Sequence, residues 1–234
     1  MVDNGYLLLE GGAEFGGQMA EPDLRAIELA GGFDAPISIL PTAAAPDHND
    51  QRAGQNGLRW FNRLGARQVA VLPLVDRVSA DSPEIVQALR CSRLIYLLGG
   101  FPGHLYQSLA GSQSWQAILY AYRTGAVIAG SSAGAMALCQ HFYDPHAGQV
   151  MAGLNLLPGA CVLPHHNTFG KRWAEKLVVL LPQDILIGID EQTGLIHDGK
   201  DGLWKVYGKG GVTLYHKGEQ RFIQPGAAFS VNDG

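Results

Sequence analysis

The chain has 234 residues, 47% hydrophobic, 16% charged and 9% aromatic, a composition that excludes a mainly disordered chain and supplies a sizeable core. Its 17 Lys and Arg against 21 Asp and Glu leave a formal charge of −4 with no Lys/Arg run, so nucleic acid is not an expected partner. No apolar stretch reaches the roughly 18 residues of a membrane span, the opening Met1-Val2-Asp3-Asn4-Gly5-Tyr6 lacks a basic and then apolar leader, and Cys91, Cys139 and Cys161 are odd in number without C-x-x-C spacing; the expectation is a cytoplasmic protein with no membrane contact, disulfide framework or zinc cluster.

In chain order, Tyr6–Leu9, Ile37–Leu40, Gln68–Leu72, Leu94–Leu98 and Ala126–Ala129 are short runs rich in Val, Ile and Leu that predict strands buried on both faces. Between them Asp23–Ala30, Gln51–Leu64, Pro83–Arg90 and Ser114–Thr124 predict helices, with Ser82-Pro83 as a start and Gly31 and Gly125 as stops. This alternation implies an α/β fold, a three-layer α/β/α sandwich with a mostly parallel central sheet. After about residue 140 the pattern becomes short strands at Leu186–Asp190, Gly194–His197, Leu203–Tyr207, Val212–Tyr215 and Arg221–Ile223 separated by Gly-containing turns. A hairpin-rich C-terminal extension of one domain spanning 1–234 is therefore expected, packed on or continuing the same sheet.

Chemistry is concentrated where the fifth strand runs into Gly130-Ser131-Ser132-Ala133-Gly134 and an Ala-rich helix. G-x-S-x-G between strand and helix lifts the central hydroxyl, Ser132, above the sheet, and the Ala133 N–H lies ready for an oxyanion; a plain packing turn or anion-binding helix start is the alternative. A general base is needed, and His165 and His166 end a short apolar strand; neighbouring strand residues point oppositely, so only one can reach Ser132. The carboxylate that orients the base is Asp144, between serine and histidine in sequence, with Glu191 as rival. Gly99-Gly100 after the fourth strand offers a second oxyanion donor at Gly100. Gly11-Gly12-Ala13-Glu14 lacks G-x-G-x-x-G spacing, so no nucleotide cofactor is expected, and Asp47-His48-Asn49-Asp50 with His141 and His146 has no recognised ligand spacing, so no metal is assigned.

These residues resemble peptidase family S51, the serine peptidases that include cyanophycinase and dipeptidase E. The likeness runs through Gly11-Gly12-Ala13-Glu14, Pro41-Thr42-Ala43, Gly99-Gly100, Gly130 to Ala135 and Gly188-Ile189-Asp190-Glu191-Gln192-Thr193. It implies the fold of class I glutamine amidotransferase-like proteins, with serine where amidotransferases carry cysteine. It also implies Ser132 as nucleophile, His165 as base and Asp144 as its acidic partner. Where the family has polar residues this chain has Phe101-Pro102 after the glycine pair, and Leu163-Pro164 where cyanophycinase-like sequences have Asp-Gln before the base, so the substrate is expected to differ. Phe101, Glu191 and Arg172, with Lys171 beside it, are the candidate substrate contacts.

The expected activity is hydrolysis of a peptide or isopeptide bond in a short peptide-like substrate through an acyl-enzyme, with no cofactor and with a homodimer as a compatible assembly. Two alternatives stand beside it. One is a non-catalytic binding homologue of the same fold. The other is an α/β-hydrolase-type esterase, opposed by the 33 positions between Ser132 and His165, too few for the elements that usually follow that elbow.

Overall fold

A computed structural model describes residues 5–197 and 202–230. In chain order the elements are β1 Tyr6–Glu10, α1 Ala20–Leu29, β2 Ile37–Leu40, α2 Asp50–Leu64, β3 Val69–Val71, α3 Pro83–Cys91, β4 Leu94–Leu97, α4 Pro102–Leu109, α5 Gln113–Arg123, β5 Val127–Ser131 and α6 Ala133–Leu138. Then come β6 His141–Asp144, β7 Gln149–Ala152, β8 Ala160–Leu163, α7 Ala174–Leu180, β9 Ile185–Ile189, β10 Thr193–His197, β11 Trp204–Gly208, β12 Val212–His216, β13 Glu219–Ile223 and β14 Ala228–Phe229.

The main sheet runs β14-β11-β10-β1-β5-β4-β2-β3. From β1 to β3 all neighbours are parallel, while β10, β11 and β14 add an antiparallel wing. Both faces are buried, and the sequence shows why its strands read as unbroken apolar runs. Along β4 and the residue after it, Ile95 and Leu97 enter one core layer and Leu94, Tyr96 and Leu98 the other, all at most 1% exposed. Each such fully buried Leu or Ile contributes about 1.5–3 kcal/mol.

The hairpin-rich C-terminal part does both things expected of it, β10, β11 and β14 continuing the main sheet and the remaining strands forming a sheet beside it. Strands β9, β12 and β13 join β8 in a separate four-stranded sheet, β13-β12-β9-β8, and β6 and β7 form a hairpin of their own. Pro102 opens α4, where a fixed φ and a missing N–H cost nothing. Among the described residues no helix is long and apolar enough to cross a membrane.

Two strand registers bring the chemically active loops together. Glu10 of β1 lies opposite Ser131 of β5, so the loops after these parallel strands leave the sheet side by side. In the smaller sheet Leu163 of β8 lies opposite Gly188 of the parallel strand β9, which makes neighbours of the loops carrying His165 and Glu191.

Candidate active site

Ser132 sits between β5 and α6 at φ 49°, ψ −110°, a conformation that costs a non-glycine residue about 1–3 kcal/mol. Its surroundings impose that turn. A Cβ on Gly134 would lie 2.2 Å from the Leu97 carbonyl oxygen, and one on Gly130 would lie 2.6 Å from the Gly134 carbonyl carbon. The Ser132 N–H donates to the Glu10 carbonyl at 3.0 Å, which fixes the turn to the neighbouring strand.

His165 Nε2 is 3.0 Å from Ser132 Oγ, and His165 Nδ1 is 2.8 Å from Glu191 Oε1. The imidazole is held on all sides. A Cβ on Gly12 would fall 2.3 Å from His165 Cε1, so the ring lies directly on that glycine. Phe169 stacks on the ring at 4.8 Å between centroids. The His165 N–H donates to the Gly11 carbonyl at 2.7 Å, stitching the smaller sheet to the end of β1. Glu191 is anchored through its own N–H to Asn167 Oδ1 at 2.9 Å. His166 turns the other way, 5% exposed, with Nε2 2.9 Å from the Tyr215 hydroxyl. Burial opposes ionisation of the neighbouring Asp190, but the nearby His166 ring, 3.6 Å away, and a hydrogen bond from the Gly211 N–H hold its carboxyl below the usual range.

The expected pairing of Asp144 with His165 is corrected by this geometry. Asp144 ends β6 and closes its own turn: Oδ1 accepts from the His146 N–H at 2.8 Å and the Ala147 N–H at 3.2 Å. An Asp before Pro opens turns in this manner, because its short side chain reaches the backbone two residues on. The carboxylate against His165 is Glu191, the rival candidate.

Gly100 has φ 138°, and a Cβ there would lie 2.2 Å from the Ala43 carbonyl oxygen. The Phe101 N–H donates to that same carbonyl at 2.8 Å. Among the described residues the N–H groups of Gly100 and Ala133 have no protein acceptor. Phe101 stacks on His146 at 4.4 Å. Lys171 and Arg172 are exposed on a 3-10 turn and line a neighbouring cleft with Thr168 and Tyr215, apart from the Ser132–His165–Glu191 chain. Glu14 is a functional candidate to which the sequence pattern alone assigns no role. Its Oε2 accepts from Ser131 Oγ at 3.1 Å. Its Oε1 and the Ser132 Cβ lie 3.2 and 3.3 Å from one point, the position a Cβ on Gly99 would take.

Two carboxyls, at the end of β1 and on α1, are buried together. Glu10 and Asp23 are both 0% exposed; Glu10 Oε2 accepts from the Tyr96 hydroxyl, and Asp23 Oδ2 accepts from Trp60 Nε1 at 2.7 Å. The two carboxyls are within hydrogen-bonding reach of each other, and Glu10 Oε1 and Asp23 Oδ1 have no other partner. A proton carried by either carboxyl can serve as donor to the other. Burial pushes Asp23 up to about 7 and Glu10 well above the usual carboxylate range, the latter aided by the Asp23 and Glu14 charges. The folded state thus holds protons that the unfolded chain releases near pH 4, so stability falls as pH rises from about 4 through 7, by up to about 1.4 kcal/mol per pH unit per group. Glu10→Gln mimics the protonated acid and removes its charge. It is expected to raise the melting temperature at pH 8.5 by several degrees and to flatten its dependence on pH; a lower melting temperature at pH 8.5 than the parent would contradict a proton held by this pair.

Comparison with known proteins adds three findings. The family model described as peptidase family S51 matches residues 7–203. The cyanophycinase of Geminocystis herdmanii is 31% identical over 221 residues, 89% of this chain and 79% of that protein, and the cyanophycinase of Nostoc sp. is 30% identical over 196 residues, 79% of this chain and 64% of that one. Among solved structures, a peptidase from an acI-B1 actinobacterium superposes with a TM-score of 0.88 at 32% identity over 97% of both chains. A putative peptidase E protein of Listeria monocytogenes shares the fold, with a TM-score of 0.65 at 21% identity over 88% of this chain and 99% of that one. With the family model covering most of its length and this α/β architecture shared with a solved peptidase, the chain belongs to peptidase family S51, a serine peptidase family, and not to the α/β-hydrolases.

Proposed function

We propose that Ser132 is the nucleophile of a hydrolase that cleaves a peptide or isopeptide bond in a short peptide-like substrate through an acyl-enzyme. The observation that carries this reading is the unbroken hydrogen-bond chain from Ser132 Oγ through His165 to Glu191. Ser132 Oγ attacks the carbonyl carbon as His165 Nε2 takes its proton, and Glu191 accepts the Nδ1–H and stabilises the imidazolium. The Gly100 and Ala133 N–H groups receive the oxyanion. Collapse of the tetrahedral species passes the proton to the leaving nitrogen, and a water, deprotonated by the same imidazole, releases the acyl group.

Both relatives from Geminocystis and Nostoc are cyanophycinases, but the residue pair before the base argues for a different preference. Leu163 is 0% exposed and packs in the core under α7, so it offers a substrate nothing polar. The three cysteines are free, in keeping with a cytoplasmic setting. A fluorophosphonate probe is expected to label the protein at Ser132, located by mass spectrometry, and profiling of dipeptides and isopeptides to find amide cleavage. Labelling elsewhere, or a labelled protein that hydrolyses esters but no amide, would overturn the assignment; a protein that takes no label and cleaves nothing would be the binding homologue.

A further inference from the structure

One face of α2 stands out against a chain of net charge −4. Arg52, Arg59 and Arg63 recur at spacings of seven and four, so they lie along a single stripe of the helix. All three are exposed, and none is ion-paired to a carboxylate among the described residues. Their fixed partners are neutral: Arg52 Nε donates to Asn49 Oδ1 at 2.9 Å, and Arg59 Nη2 donates to Asn56 Oδ1 at 2.6 Å. Asp50, the acid of the same helix, falls on the opposite side by helical period.

The stripe lines a cleft of about 550 Å³ together with Glu14 and the aromatic side chains of Phe15 and Trp60. Glu14 also reaches the nucleophile turn, through Ser131 Oγ and its closeness to Gly99. The cleft therefore adjoins the turn that carries Ser132 through Glu14, and its lining holds three cations and that one anion.

We propose that this cleft is a binding groove for an extended acidic segment of the substrate, with Arg52, Arg59 and Arg63 as its specificity-determining residues. The proposal rests on the serine-peptidase reading of the adjoining site. Its geometry fits a peptide. From Arg52 to Arg63 the helix rises about 16 Å, the length of roughly five extended residues. Carboxylates two or three residues apart on such a strand match the separations along the stripe, and guanidinium groups bind carboxylates in a planar fork. Asn49 and Asn56, beside Arg52 and Arg59 in the lining, keep their NH₂ groups as partners for main-chain carbonyls. Glu14, beside the Ser131–Ser132 turn, suits a substrate ammonium or amide N–H and disfavours a carboxylate there.

The test uses the full chain carrying Ser132→Ala, so that binding is read without turnover. The probes are a fluorescein-labelled octapeptide of alternating Asp and Ala and its Asn-Ala counterpart. At about 50 mM salt, where surface charges are weakly screened, the Asp peptide is expected to bind about tenfold tighter than the Asn peptide, as three exposed ion pairs allow. Adding R52Q, R59Q and R63Q together should bring the two peptides within about twofold. Raising salt to about 0.5 M on the protein with its arginines intact should do the same, a control independent of how the triple variant folds. Equal binding of the two peptides, or a preference that survives the triple substitution, overturns the proposal. So does tighter binding of a single-stranded DNA octamer lost in the same variant, which would make the stripe a nucleic-acid surface. Loss of charge selectivity leaves the nucleophile assignment standing, and failure of Ser132 to label leaves the groove standing, so the two ideas fail separately.

Discussion

Ser132→Ala is expected to lower kcat on any cleavable peptide by about 10⁴-fold or more while KM moves only a few-fold, because the hydroxyl is used in the transition state and little in ground-state binding. The residue left behind still occupies φ 49°, ψ −110°, which allows a second measurement on the same position. Ser132→Gly removes the same hydroxyl yet tolerates that backbone. The glycine variant should therefore be as inactive as the alanine variant but more stable by about 1 kcal/mol, read as a melting temperature higher by about 2–4 °C. Retained turnover in either variant would reject Ser132 as nucleophile. Equal melting temperatures would show that the turn is set without local strain.

How far each feature could be read from sequence depends on whether its cause is local or long-range. Strands buried on both faces appear as continuous apolar runs, so β1, β2, β4 and β5 were legible to within a residue or two. The turn at Ser132 was legible because G-x-S-x-G answers a local steric need, seen in the contacts that Gly130 and Gly134 would make with a Cβ. The partner of the base was not, since it depends on strand order. Glu191 meets His165 only because β8 and β9 are parallel neighbours, Leu163 opposite Gly188, and nothing in the apolar run of β9 distinguishes that pairing from a hairpin strand of the main sheet. The same holds for Gly11 and Gly12. Their glycines suggest a phosphate loop that the spacing denies, and their role, a floor for the His165 ring and an acceptor for the His165 main-chain N–H, is long-range. The arginine stripe was present as helical spacing in Gln51–Leu64, but whether it faced solvent or a cleft depended on how Phe15 and Trp60 pack.

The two candidate carboxylates separate cleanly by substitution. Glu191→Gln is expected to reduce kcat by about 10³-fold. The carboxylate only accepts, and so holds the proton on His165 Nδ1 and leaves Nε2 free to take the serine proton. A glutamine at the same 2.8 Å can turn its NH₂ group to Nδ1, which moves the ring proton to Nε2 and leaves the serine without a base. The Glu191 side chain keeps 34% of its exposure, so water can partly replace it, and the loss should fall short of removing the nucleophile. Asp144→Ala should behave in the opposite manner. It deletes two hydrogen bonds that cap the turn to His146 and Ala147, costing about 1–2 kcal/mol of stability, while kcat stays within a few-fold. Measuring kcat, fluorophosphonate labelling rate and melting temperature on both variants gives crossed results under this assignment, the glutamine variant slow and stable, the alanine variant active and less stable. A fall in kcat of two orders or more for Asp144→Ala with Glu191→Gln unaffected would return the orienting role to Asp144 and require the β6–β7 hairpin to swing onto the base during turnover.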